Sequence, residues 1–174
     1  MRWKETLGVW AFGWLKIPMI AYLRPRVERL DNEVAIVRIP FRHRSRNHLR
    51  SMYFGALAVG ADLAGGIIAM RLIEESRQPV SLVFQGFKAE FHRRPTADVH
   101  FTCTDGAHIR AMVQQAIDTG ERVTEAVTIV ATTPSVSGDE AVATMELMLS
   151  LKRKAKAGDA PPATPAAAPE QQSV

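Results

Sequence analysis

The sequence predicts an α+β domain in which a curved, mostly antiparallel sheet wraps around one long central helix. Three observations carry this. From Met52 to Met70 the chain is apolar or small, with Asp62 as its one charged residue, and a helix that is apolar on all sides must be buried. Several other segments are β-rich; in the clearest, Ala141, Ala143, Met145, Leu147, Leu149 and Leu151 alternate with Val142, Thr144, Glu146, Met148 and Ser150, the period of a strand with two different faces. Finally, 174 residues that are 47% hydrophobic can bury one core but scarcely two, and no internal repeat divides the chain.

The elements follow in order. Trp3, Leu7, Trp10, Trp14, Leu15 and Ile17 recur at roughly helical spacing and predict an amphipathic N-terminal helix. Lys16 and Pro18 interrupt the run before it takes signal-peptide form, so the helix reads as a retained lid packed on the sheet. Two short strands, about Arg26–Leu30 and Glu33–Phe41, flank the turn-prone Asp31-Asn32, the second rich in β-branched residues. A basic loop, Arg42 to Arg50, precedes the apolar helix. Strands are then expected over Ser81–His92 and Asp98–Thr104, an amphipathic helix over Ala107–Thr119 with Gly120 as its stop, and strands over Arg122–Thr133 and Ala141–Leu151. The expected domain spans residues 1–156. Residues 157–174 hold mostly Ala, Pro, Gln and Ser, too little bulk to offset chain entropy, and read as a disordered tail.

Composition excludes several function classes. The one cysteine, Cys103, rules out a disulfide framework and multi-cysteine metal sites and fits a reducing, cytoplasmic setting. It sits in a strand pattern and reads as buried. The five histidines show no metal-ligand spacing, so no metal is expected. The apolar helix is long enough to span a bilayer, but four glycines and mid-helix Asp62 argue for burial in protein. The formal charge of +4 is uneven: residues 1–50 carry 11 Lys/Arg against 4 Asp/Glu, the remainder 11 against 14. Basic stretches raise the prospect of nucleic acid, but no recognition motif and no aromatic–basic interleaving are present. A membrane surface is the lesser alternative for the Trp-rich helix.

The chemistry-bearing residues cluster around the start of the apolar helix: Asn47 in the loop, Tyr53-Phe54-Gly55 at the turn, then Asp62. A lone carboxylate in that helix needs either a partner or a raised pKa. This register resembles the phenylacetyl-CoA-type branch of the hot-dog acyl-CoA thioesterases, where a loop Asn precedes a His-Gly-Gly turn and an Asp follows within the helix. "RNHLRSMYFGALAVGADLAGG" and "FKAEFHRRPTADV" also resemble an uncharacterised hot-dog subfamily opening with a Trp-bearing helix. The resemblance covers about residues 1–154. Two departures stand out: Tyr53 replaces the His and Phe54 the first Gly.

The resemblance implies a homodimer, with further pairing to a tetramer left open. It implies Phe54 and Gly55 N–H groups polarising a thioester carbonyl, Asp62 as base or nucleophile, and Asn47 orienting water from across the dimer interface. A helix N-terminus suits that charge, and a carboxylate suits either role. Tyr53 is expected at the pocket wall. Arg46, Arg50, Lys88, Arg93 and Arg94 are the candidates for the phosphates of coenzyme A or an acyl carrier, which enter as part of the substrate, with no separate cofactor. Gly60, Ala61, Ala64 and Gly65 are expected to leave room for an apolar acyl tunnel. The alternatives are a non-catalytic acyl-CoA or fatty-acid-binding protein and, third, a hot-dog dehydratase, whose Asp-His pair is not discernible.

Overall fold

The computed structural model describes residues 2–154. The predicted tail, 157–174, lies outside the described residues. The chain forms α1 (Trp3–Lys16), α2 (Pro18–Leu23), β1 (Arg26–Leu30), β2 (Ala35–Ile39), α3 (Phe54–Ser76), β3 (Val80–Phe91), β4 (Val99–Cys103), α4 (Gly106–Thr119), β5 (Arg122–Thr132), α5 (Pro134–Ser137) and β6 (Ala141–Arg153). The strands make one six-stranded sheet in the order β1-β2-β4-β5-β6-β3, and every pairing is antiparallel. The sheet wraps α3, which gives the hot-dog fold.

The core lies between α3 and the concave face of the sheet. Phe101, Ile129, Met145, Leu149 and Leu151 from the strands and Ile68 from α3 are fully buried. Small residues let the helix approach: a Cβ on Gly60 would lie 2.2 Å from the Phe101 ring, and one on Gly65 3.1 Å from Leu147. Ala61 and Ala64 are fully buried as well. The room reserved for an acyl tunnel beside these four residues is therefore taken up by core side chains. Their smallness serves close packing instead.

The helix α3 runs six residues past Met70, the last residue of the apolar run. Leu72 is buried, and Arg71 donates to Asn32 Oδ1 at 2.7 Å while Asn32 donates to Glu75 at 3.0 Å. These polar residues stitch the end of the helix to the first hairpin. The amphipathic α4 buries Ile109, Met112, Val113 and Ala116 and ends where Gly120 takes a left-handed φ of 70°, as its residue type favours.

The N-terminal helix breaks at Ile17, so Pro18 opens α2 at its first turn, where its missing N–H costs nothing. It packs through Val9 and Phe12 against the core and by a polar seam beside them. Val27 N–H donates to Thr6 Oγ1 at 3.0 Å, Arg2 N–H donates to Val27 O at 2.8 Å, and Trp10 Nε1 donates to Pro25 O at 2.7 Å. This covers the edge strand β1, while much of the apolar surface of α1 faces outward.

Candidate active site

The start of α3 is polar backbone without a cap. Tyr53 holds the N-cap position with no side-chain cap bond. Its N–H donates to Ser45 O at 2.8 Å, and its carbonyl accepts from Ala56 and Leu57. The N–H groups of Phe54 and Gly55, which no helical carbonyl can reach, have no acceptor among the described residues. The Tyr53 and Phe54 rings stand 4.8 Å apart, tilted by 59°, and the Tyr53 ring lies across Gly55, where a Cβ would fall 2.6 Å from it. Both rings are largely exposed.

Two turns further on, Asp62 is partly buried with no hydrogen bond or ion pair. Desolvation alone pushes its carboxyl above the usual aspartate range. Beside it, Gly66 leaves a notch in which a Cβ would lie 3.3 Å from the Phe84 ring and 4.0 Å from Asp62 Oδ1. This aspartate faces the β3 side of the helix.

The register of β3 supplies residues that the sequence reading did not single out. Phe84 pairs with Leu149, Phe87 with Leu147 and Phe91 with Ala143, and directly paired residues share a face. Their partners are buried toward α3, so the three Phe residues line the same concave side. Phe87 is nevertheless 46% exposed and Phe91 54%. The outcome is an apolar trough between β3 and α3, open on one side, with Asp62 along it. A signal was present: the step of three from Phe84 to Phe87 breaks strict alternation and marks the bulge found there.

The other candidates divide. The Asn47 side-chain oxygen accepts from the Leu49 and Ser51 N–H groups at 2.9 and 3.1 Å, and its amide contacts Ser51 Oγ at 3.1 Å. It shapes its own loop as an Asx turn. Arg46 bridges to Met52, and Met52 N–H donates to Pro95 O at 2.8 Å. The loop bearing Arg46 and Arg50 is thus tied to the turn bearing Arg93 and Arg94, beside the start of α3. Arg93 pairs with Glu140 at 2.8 Å. Lys88 sits opposite Glu146 on the outer face and pairs with Glu90 at 3.4 Å, away from the trough. Cys103 is fully buried, and burial pushes its thiol up to about 11.

The sequence profile of the family described as Domain of unknown function (DUF4442) matches residues 8–150. No curated protein matches the sequence. Among solved structures, the chain is similar to a protein of unknown function from Pseudomonas aeruginosa, called a probable thioesterase, at 23% identity and TM-score 0.71, covering 86% of this chain and 96% of that one. A protein of unknown function from Chlorobaculum tepidum matches at 11% identity and TM-score 0.72, covering 86% and 94%. A thioesterase from Haemophilus influenzae matches at 16% identity and TM-score 0.59, covering 77% and 82%. These likenesses agree on the hot-dog fold.

Proposed function

The chain belongs to the family described as Domain of unknown function (DUF4442), and from that premise and the hot-dog fold we propose that it hydrolyses the thioester of an acyl-CoA or acyl-carrier conjugate. The observation that carries the reading is the pairing of unlike groups on one helix: free N–H donors at Phe54 and Gly55, and an unpartnered, desolvated carboxylate at Asp62. Negative charge grows on the carbonyl oxygen as water adds, and the N–H pair with the helix dipole stabilises it. Asp62 takes the proton from the attacking water, and a carboxyl made more basic by burial suits that task. When the C–S bond breaks, the sulfur leaves with that proton as the thiol. The acyl group rests against Phe84, Phe87 and Phe91.

The distances favour a homodimer. Phe54 and Asp62 are eight residues apart, about 12 Å of helical rise. Hydrogen bonds of about 3 Å at either end leave that gap too long for one carbonyl and one water. A second copy brings its own helix start to this Asp62. The bare twelve-residue edge of β3 is the natural seam, because long apolar edges are seldom left open. Asn47 of the partner subunit then has one amide hydrogen for the water, and Arg46, Arg50 and Arg94 hold phosphate at the rim.

An acyl-CoA panel assayed with wild type and Asp62→Ala tests this. Turnover lost in the variant supports the hydrolase. Equal residual rates in both remove Asp62 from the chemistry. If no acyl-CoA is cleaved yet a long-chain one raises Tm, the protein is a binding module instead.

A further inference from the structure

The N-terminal helices carry an exposed apolar stripe that the proposed hydrolase site does not use. At 100° per residue, Trp3, Leu7, Trp14 and Leu15 fall within about 120° of arc on α1, whereas its buried residues Thr6, Val9 and Gly13 cluster on the other side. Trp3 is 60% exposed, Trp14 77% and Leu15 79%. Ile17, Met19 and Tyr22 continue the stripe into α2, also exposed. Contiguous apolar surface of this kind on a folded domain marks a binding face.

What covers it is indicated by the charge beside it. A cavity of about 610 Å³ opens between α1, α2 and the basic loop, and its wall carries Arg24, Arg26, Arg42, His43 and Arg44 with no acidic side chain. None of these five is in a salt bridge among the described residues; Arg42 also attracts Asp98 from the far side of the loop, and Arg24, Arg26 and Arg44 have no such second anion among them. Trp10 and Tyr22 line the same cavity, so the basic pocket and the apolar stripe share a border. Arg44 is held at that border, donating to Tyr22 O at 2.9 Å with its guanidinium 5.7 Å from the Tyr22 ring centre. Tryptophan and leucine on one side with arginines at their edge match a layer that is apolar inside and negatively charged at its rim.

We propose that α1 and α2 dock on an anionic phospholipid surface, with Trp3, Leu7, Trp14 and Leu15 entering the headgroup–acyl boundary and a lipid phosphate seated in the Arg24–Arg26–Arg42–His43–Arg44 pocket. The docking face belongs to the helices covering β1, at the sheet edge remote from β3, so it leaves the proposed dimer seam and the Asp62 trough free. It stands whether or not the protein cleaves thioesters.

The full chain is mixed with phosphatidylcholine vesicles and with vesicles in which phosphatidylglycerol replaces part of the lipid. Co-sedimentation and tryptophan emission are then read. Wild type should pellet and shift to the blue with the anionic vesicles only, and added salt should loosen it. Trp14→Ser with Leu15→Ser, both highly exposed, should weaken partitioning about tenfold or more at unchanged Tm. Arg24→Asn with Arg42→Gln should weaken it about fivefold for each charge removed; Asn suits the left-handed backbone at position 24. Three results overturn the proposal: equal pelleting with both vesicle types, failure to pellet while inorganic phosphate raises Tm, or a Trp14/Leu15 variant that falls to a smaller oligomer in place of losing lipid. The last would make the stripe a contact between copies.

Discussion

Asp62 and Asp98 are aspartates of one small domain in opposite surroundings. Asp98 stands at the outer face of the sheet, where Arg38 donates to it at 2.6 Å and Phe41 N–H at 2.8 Å. Arg38 also reaches Glu28 at 2.8 Å. Burial alone would raise the Asp98 carboxyl, but the Phe41 N–H and the Arg38 guanidinium outweigh it and hold it below the ordinary range. Asp62 has burial without donors, and its carboxyl goes up. The outer cluster also contains His100 and a cavity of about 550 Å³, so a pocket and charged groups alone do not distinguish the two places. Satisfaction does. One carboxylate is paired and serves stability; the other is unpaired and costs it, as groups kept for chemistry often do.

The sharpest way to break this comparison is Asp62→Asn. Thioester turnover should fall about 10² to 10⁴-fold, while thermal stability at neutral pH should rise. A folded carboxyl raised above its unfolded value makes stability fall as pH climbs from the unfolded toward the folded pKa, and Asn removes that loss. Wild type and variant should therefore converge in Tm below the ordinary aspartate range and separate above it. A variant that loses Tm at neutral pH would place Asp62 among the structural carboxylates.

The donor end can be removed without damage to the helix. Tyr53 already has φ −67° and ψ 138°, the backbone that a following proline prefers, and the first helical position accepts proline well. Phe54→Pro thus deletes one free N–H together with the exposed ring that leans on Tyr53, and Phe54→Ala, which removes the ring but keeps the N–H, is its control. The expected loss is about 10² to 10³-fold in kcat with Tm unchanged. An unchanged kcat would show that the free N–H at Phe54 is not where the carbonyl oxygen binds.

How much of this was legible in the sequence follows from what each feature depends on. The central helix, the six strands and Gly120 rest on periodicity and residue type within short windows, and all were readable. The end of α3 was not, because Arg71 and Glu75 lie beyond the apolar run and the Asn32 that holds them is some forty residues away. Asp62 was legible as an anomaly in an apolar run. Asn47 was legible as a residue type, but the hydrogen bonds that commit it to its loop are tertiary facts. The misreading of Gly60 and Gly65 as acyl space has the same origin: small residues signal room, and only the packed Phe101 and Leu147 decide who fills it. The trough was hidden for a related reason, since the bulge that turns Phe87 inward shifts the alternation by one.

A pH profile sharpens the contrast next. If Asp62 acts as base it must be ionised, so kcat/KM should rise with pH along an acid limb lying above the ordinary aspartate range. Asp98→Asn should leave that limb in place. A limb that moves with Asp98 would couple the outer cluster to the chemistry.

The smallest effect belongs to Asp98 itself. Replacing it by Asn keeps the shape but weakens the charge-assisted bond to Arg38, a partly buried interaction worth about 1 kcal/mol at neutral pH. Its sign with pH is the reverse of that at Asp62. A carboxyl held below its unfolded value contributes stability above the unfolded pKa, and that contribution is lost as pH falls through the folded pKa. Wild type should therefore exceed Asp98→Asn in Tm at neutral pH and approach it in strong acid, with turnover of any thioester substrate unchanged. Thermal melts of the two proteins across that range would read it. Opposite pH slopes for the Asn variants at positions 62 and 98 would separate the unpaired carboxylate from the paired one without reference to any substrate.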